Sequence, residues 1–453
     1  MMSPTAVEED LRAADREQLE THGIGVDEAR RQLAILRDPP PKARLVRPAL
    51  LGDGIDPLPA GSEADRLAEA GRAAASSGRL VRFVPASGAA SRLFAELKAA
   101  AAGAPDDPVL GRFEKVRRHL PFDAAAGAAE TLERYGDTPK ALIPFHRYPG
   151  GEVRTALEEH LVEAAAVLGD GGGLAALHFS VASRHGPAFE ALLAERLPAL
   201  ERRCGCRFEI ALSHQSPATD SIALGERGGP FRLVEDPASP LLVRPGGHGA
   251  LVRNLQGLAD QGYDLIAMKN IDNMQPEPFQ GPAVRGLRIL AGMALELARS
   301  AGRPSRVCGV VPTLGTAGGG PFWVRDASGE VGLQIVETAQ MDMEDAEQSA
   351  ILGRSTHFNP VFMVCAVLAP GGEPYRLEDY VDHAASFLVD KSHGGRPLTA
   401  LERPGLWNGS MAGWKTRFVD LPGEVYTPVK TVFDLAGEEH QCPAPAAFDG
   451  DDR

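Results

Sequence analysis

The chain has 453 residues, 43% hydrophobic and 24% charged, with a formal net charge of -14. That length suits two or three globular domains, and the acidic balance argues against nucleic acid as the main partner, because a phosphate backbone attracts a basic surface. Five scattered cysteines fit free thiols in a reducing cytoplasm, no apolar run reaches membrane-spanning length, and no secretory signal pattern opens the chain.

Charged and apolar residues alternate at helical spacing over 8–21 and 26–37, and 62–77 is Ala-rich and helical. Residues 1–78 therefore read as a helical N-terminal extension. The apolar run 80–84 reads as a buried parallel strand. Small residues follow it, and Ser91-Arg92-Leu93-Phe94 then opens a helical pattern. Strand, small-residue loop and helix N-terminus form a geometry that holds phosphate, since loop N–H groups and the helix dipole converge on an anion. Arg92 adds planar cationic donors. Ordinary βα packing uses the same pattern.

Helices are predicted over 94–102, 109–118 and 124–135. Pro139-Lys140-Ala141-Leu142-Ile143-Pro144 brackets a lysine between prolines and reads as extended. Thr155 and Glu158 have capping-box spacing for a helix to 168. Strands at 174–181, 208–213, 263–268 and 306–311 then alternate with helices at 185–203, 248–261 and 284–300. This implies βαβ units and a mainly parallel sheet, with ligands at the edge where the strands end. Residues 322–325 and 333–337 suggest a hairpin, and 361–368 another apolar strand. The rest, rich in Pro, Gly and Trp, reads as a small irregular C-terminal part. The division is 1–78, 79–368 with a helical insertion at about 94–135, and 369–453.

Four segments are over-equipped for turns: the loop from Gly88 to Arg92, Pro139-Lys140, Arg244-Pro245-Gly246-Gly247-His248-Gly249-Ala250-Leu251, and Lys269-Asn270-Ile271-Asp272-Asn273-Met274 directly after the strand at 263–268. Glycines around His248 allow close backbone approach to a ligand, or make a flexible turn. Asp272 suits a divalent cation, or an Asx turn with Asn273. Cys204-Gly205-Cys206 lacks the further ligands of a zinc site. The phosphate-binding Gly-x-x-x-x-Gly-Lys, the Gly-x-Ser-x-Gly elbow and His-Glu-x-x-His are all absent.

In order, these segments resemble the UDP-sugar pyrophosphorylases among the sugar nucleotidyltransferases. Gly88-Ala89-Ala90-Ser91-Arg92 resembles their Gly-x-Gly-Thr-Arg-like loop. Pro139-Lys140 resembles the Pro-Lys segment, Pro245 to Gly249 the nucleotide-contacting turn, and Asn270 to Asn273 the metal segment. Tyr426-Thr427-Pro428-Val429-Lys430-Thr431 with Asp434-Leu435 resembles the late Pro-Val-Lys motif. Gln215 stands where that family has a base-contacting glutamine. The chain from about residue 15 to 441 is also similar to an uncharacterised bacterial family, domain of unknown function 4301. That likeness rests on Phe83 to Arg92, Thr356-His357-Phe358-Asn359-Pro360 and Pro404-Gly405-Leu406-Trp407-Asn408-Gly409.

The pyrophosphorylase resemblance implies a Rossmann-like α/β fold of the nucleotide-diphospho-sugar transferase (GT-A-like) type. It implies Mg²⁺-dependent transfer of a nucleotidyl group from an NTP, UTP favoured, to a sugar 1-phosphate with release of pyrophosphate. Arg92, Lys140, Asp272 and Lys430 would be catalytic, with Asp272 on the Mg²⁺. Gly88, Ala89, Ala90 and Ser91 would hold the phosphates. Gln215, Gly246, Gly247, His248 and Gly249 would face the nucleoside, with Glu337, His357 and Asn359 as candidates on the acceptor side. Trp407 reads as a packed turn or a sugar-stacking ring. One departure is that Ala90 and Ser91 replace glycine and threonine. A non-catalytic nucleotide or nucleotide-sugar binding protein, and a transferase using a nucleotide sugar as donor, are the alternative readings.

Overall fold

A computed structural model describes residues 11–88, 92–104, 106–169, 173–236, 238–313 and 319–442. Leu80, Val81, Phe83 and Val84 are buried, as a strand covered on both faces requires. This strand, Leu80–Pro85, lies inside a nine-stranded sheet. From one edge the order is Leu50–Leu51, Gly54–Asp56, Lys415–Asp420, Ser305–Pro312, His357–Ala366, Leu265–Lys269, Leu80–Pro85, Leu174–Ser180 and Arg207–Ser213. All neighbours are parallel except His357–Ala366, which is antiparallel to both of its neighbours. The expected mixed α/β architecture with a large, mainly parallel sheet is thus present.

Helices cover both faces. Leu67, Leu161, Leu287 and Leu290 belong to the core on one side, and Leu255, Leu258, Leu406 and Trp414 to the core on the other. The long helix Gly281–Ala301 crosses Gly61–Ser76 closely. A Cβ on Gly292 would lie 2.2 Å from the Leu67 carbonyl oxygen. Gly292→Ala is therefore expected to destabilise the protein by about 1–3 kcal/mol through overpacking, read as a lower thermal midpoint.

Two expectations need correction. The stretch 1–78 has the helices Ala13–His22, Val26–Arg37 and Gly61–Ser76, but also the strands Arg44–Pro48, Leu50–Leu51 and Gly54–Asp56. The last two extend the central sheet; at two and three residues they are too short for a periodic signal. The C-terminal part is not irregular either, since it supplies Phe387–His393, Arg396–Glu402 and the inner sheet strand Lys415–Asp420. Phe387–His393 and Arg396–Glu402 join Ser221–Gly225 and Val243–Arg244 in a four-stranded sheet. The first two helices pack there, through Leu19, Leu33, Ile222 and Leu401. The predicted hairpin is Gly320–Arg325 with Val331–Val336, joined by Arg44–Pro48.

The region between the small-residue loop and Lys140 is helical, as expected: Ala95–Ala101, Pro108–Val116 and Ala128–Tyr135. Thr155 caps Ala156–Leu168, with Glu158 closing the box onto the Thr155 N–H at 2.8 Å. No helix among the described residues is long and apolar enough to cross a membrane.

Candidate active site

Parallel strands ending on one edge place their following loops together. Gly88 follows Leu80–Pro85, Gln215 follows Arg207–Ser213, and Asp272 follows Leu265–Lys269. The antiparallel His357–Ala366 begins at that same edge, opposite Pro312. Lys140 reaches it from a short 3₁₀ turn, Lys140–Leu142.

Lys140 Nζ lies 3.4 Å from Asp272 Oδ2 and donates to the Val429 carbonyl at 3.0 Å. Val429 in turn donates its N–H to the Asp272 carbonyl at 2.9 Å. Asn273 stitches the same two segments. Its Nδ2 donates to the Val425 carbonyl at 3.1 Å and its Oδ1 accepts from the Thr427 N–H at 3.0 Å. Lys430 is exposed one residue beyond Val429, and its N–H and that of Thr431 both donate to Asp434 at 2.7 Å. Two residues further on, Val432 N–H donates to the Leu93 carbonyl at 2.9 Å, beside exposed Arg92. Arg92, Lys140, Asp272 and Lys430 are therefore carried by segments in direct contact. Burial, then the Asp272 charge, push the Tyr426 phenol up, so it stays neutral in this cluster.

Gly88 is exposed at the end of the strand loop, while Ala89, Ala90 and Ser91 lie outside the described residues. The Asp272 carboxylate is 28% exposed, and among the described residues no group of three His, Cys, Asp or Glu could hold a metal. One open carboxylate fits Mg²⁺, which commonly takes one or two carboxylates and completes its shell with water and substrate phosphate. It does not fit a closed protein cage.

A second group lies around the glycine turn. Gln215 Nε2 donates to the Gly247 carbonyl at 2.9 Å. A Cβ on Gly246 would lie 2.2 Å from the Thr219 carbonyl oxygen, and one on Gly249 2.2 Å from that of Pro404. Protein packing accounts for those two glycines. His248 Nδ1 accepts from the Leu406 N–H at 3.0 Å, which leaves the proton of the neutral ring on Nε2. Desolvation lowers the His248 pKa and so favours that neutral ring. The ring stacks on Trp407 with centroids 4.2 Å apart, and Trp407 Nε1 donates to Glu337 at 3.3 Å. His248 Nε2 faces the same carboxylate at 3.9 Å. Trp407 is thus both a packed ring and a wall beside Glu337.

His357 is buried, with Asp420 at 3.3 Å on Nε2 and Thr356 at 2.8 Å on Nδ1, so both ring nitrogens have protein partners. Asn359 is buried, donates its N–H to the Gly319 carbonyl at 2.8 Å, and accepts from the Val361 N–H on Oδ1. Its Nδ2 has no partner among the described residues. Val361 has φ +55°, a strained conformation for a β-branched residue.

Sequence reasoning missed a buried ion cluster directly beneath the Asp272 loop. Arg82 and Lys269, 1% and 0% exposed, each reach one oxygen of fully buried Glu163 at 2.5 Å. The signal was present as single charges inside apolar strands, Leu80-Val81-Arg82-Phe83-Val84 and Leu265-Ile266-Ala267-Met268-Lys269.

The fold is similar to that of UDP-sugar pyrophosphorylases of known structure. UDP-N-acetylglucosamine pyrophosphorylase from Trypanosoma brucei, in complex with an inhibitor, is similar over 96% of this chain and 84% of its own, at TM-score 0.53 and 14% identity. A point mutant of UDP-glucose pyrophosphorylase from Leishmania major, in complex with UDP-glucose, is similar over 96% and 79%, at TM-score 0.56 and 14% identity. No curated protein matches the sequence. The chain itself belongs to the family described as Domain of unknown function (DUF4301), matched over residues 12–110, 128–302 and 296–441.

Proposed function

We propose that this protein is a sugar-1-phosphate nucleotidyltransferase of the nucleotide-diphospho-sugar (GT-A-like) type. It would move a nucleotidyl group from an NTP, UTP favoured, to a sugar 1-phosphate and release pyrophosphate. The observation that carries the reading is the meeting of Lys140, Asp272 and the segment bearing Lys430 at the sheet edge where the parallel strands end.

The acceptor phosphate is already anionic near neutral pH, so the reaction needs no strong general base. It needs anions brought together and charge stabilised at phosphorus. Lys140, which donates to the Val429 carbonyl, and Lys430, the next residue along, would supply ammonium groups for that purpose. Gly88 to Arg92 would receive the leaving phosphates. Gln215 with the turn from Gly246 to Gly249 would hold the nucleoside, and Glu337, with Asn359 and His357 nearby, the acceptor sugar. Asp272 would be the protein ligand of Mg²⁺, which when bound neutralises charge across the phosphate oxygens. Five unpaired cysteines suit a cytoplasmic setting.

The test is pyrophosphate release from an NTP and sugar-phosphate panel. Wild type with Mg²⁺ should turn over, and Asp272→Ala should lose more than about tenfold. Nucleotide binding without turnover across the panel would favour the binding-protein reading. Consumption of a nucleotide sugar without pyrophosphate would favour the transferase reading.

A further inference from the structure

The loop from Asn270 to Met274 is closed from below by a lysine. Lys269 Nζ ends the strand Leu265–Lys269 and donates to Glu163 at 2.5 Å and to Gln275 Oε1 at 3.0 Å. It therefore ties together the two ends of the turn that carries Asp272. Gln275 passes the link outward, its Nε2 donating to the Glu424 carbonyl at 3.3 Å. Asn273 then holds Val425 and Thr427, and Val429 is held by Asp272 and Lys140. One unbroken run of hydrogen bonds joins buried Lys269 to the segment that presents Lys430.

A lysine with no solvent access is a costly way to fill space, because an ion in the interior must recover its lost hydration. Here it has a carboxylate, an amide oxygen and the ring of Phe362 at 5.8 Å. Arg82 supplies a second cation on the same carboxylate, so the cluster carries two positive groups against one negative. His160, on the same helix as Glu163, is kept neutral by burial. Apolar packing would fill the same volume but would not tie Lys269 to Gln275.

We infer that Lys269 is a positioning residue of the nucleotidyl-transfer site: its clamp on Glu163 and Gln275 sets the turn carrying Asp272 and, through Gln275, the spacing between Asp272 and Lys430. This rests on the proposed function. The cluster touches neither the reacting groups nor the solvent, so it acts only through the two segments it joins.

Two variants test it without leaving a charge stranded. Gln275→Leu removes the outward link and leaves the ion cluster intact. The triple Arg82→Met, Glu163→Leu, Lys269→Met replaces the whole cluster by apolar side chains, an exchange that often leaves stability unchanged or raised. In both, kcat for pyrophosphate release should fall at least about tenfold while the nucleotide KM moves less than about threefold, because a misplaced group costs transition-state alignment more than ground-state binding. Gln275→Glu keeps the oxygen that accepts from Lys269 but loses the donor to the Glu424 carbonyl, so it should not recover the loss. Amide exchange in Gln275→Leu should rise together at 270–275 and 424–430.

Folded variants with wild-type kcat, or exchange that rises in one segment and not in the other, overturn the inference. If the triple variant does not fold, Gln275→Leu decides alone. A wild type that releases no pyrophosphate on any panel member refutes the proposed function instead, and the exchange experiment still decides whether Lys269 and Gln275 couple the two segments.

Discussion

Lys140→Met is expected to lower kcat for pyrophosphate release by about 10²–10³-fold, with a much smaller change in the nucleotide KM. Methionine keeps all but the last atom of the unbranched side chain and so removes its charge and its donors. The lysine side chain is 13% exposed, so its field is weakly screened by water. Val429 and Asp272 hold the ammonium from two directions, at 3.0 and 3.4 Å. The longer contact exceeds the usual range of a charge-assisted hydrogen bond, so Lys140 is not saturated by Asp272. A phosphate oxygen gaining charge in the transition state would take the unused donors. That interaction strengthens as charge develops, and its loss therefore appears in kcat. Steady-state kinetics at saturating Mg²⁺ measures it. A raised KM with kcat unchanged would instead make Lys140 a ground-state phosphate contact.

Much of this site could be read before folding because its parts sit where strands stop. An apolar run followed by small or polar residues marks both the end of a buried strand and the edge at which ligands bind. Gly88 and Asp272 stood out as strand-end positions for that reason, whereas Gln215 was singled out only by the family resemblance. Other parts were hidden by ordinary causes. Pro360 breaks the apolar pattern, so a strand was expected only from 361, whereas it runs from His357 to Ala366. The proline is accommodated where the pairing with Ser305–Pro312 slips register, next to Val361 at positive φ. Lys415–Asp420 sets only Phe418 and Val419 among charged and polar residues in a Pro- and Gly-rich context, and only its parallel partners Ser305–Pro312 and Gly54–Asp56 make it an inner strand. The partnership of Asn273 with Val425 and Thr427 spans about 150 residues, and no local pattern encodes it. Glu163 is hidden in a different way. Its helix buries twelve of its thirteen residues, so no polar face distinguishes a functional carboxylate from its neighbours.

Glu163→Gln should be the most damaging single substitution for stability, costing about 3–5 kcal/mol at neutral pH. The amide fits the space but leaves Arg82 and Lys269, at 1% and 0% exposure, facing each other without a counter-charge. Arg82 also has Nε and Nη1 without partners among the described residues, so it has no other anion to turn to. Burial alone would push the Glu163 carboxyl up, but Lys269 and Arg82 outweigh it and hold the group at about 2. A carboxylate depressed on folding stabilises fully above its unfolded value of 4.5, and that contribution is lost as pH falls toward 2. The gap between wild type and variant should therefore narrow on acidification. It should narrow on the alkaline side too. Burial pulls the Lys269 ammonium down to about 8 even with Glu163 opposing it, and removing the carboxylate lowers it further. Up to about 8 the folded wild type keeps that proton and the folded variant does not, so the variant gains stability relative to wild type; above 8 both gain in parallel toward 10.5 and the gap holds steady. Denaturant midpoints from pH 4 to 10 should trace a deficit that is deepest near neutrality. A variant as stable as wild type at pH 7 would mean that the ion cluster does not hold the strand ends together.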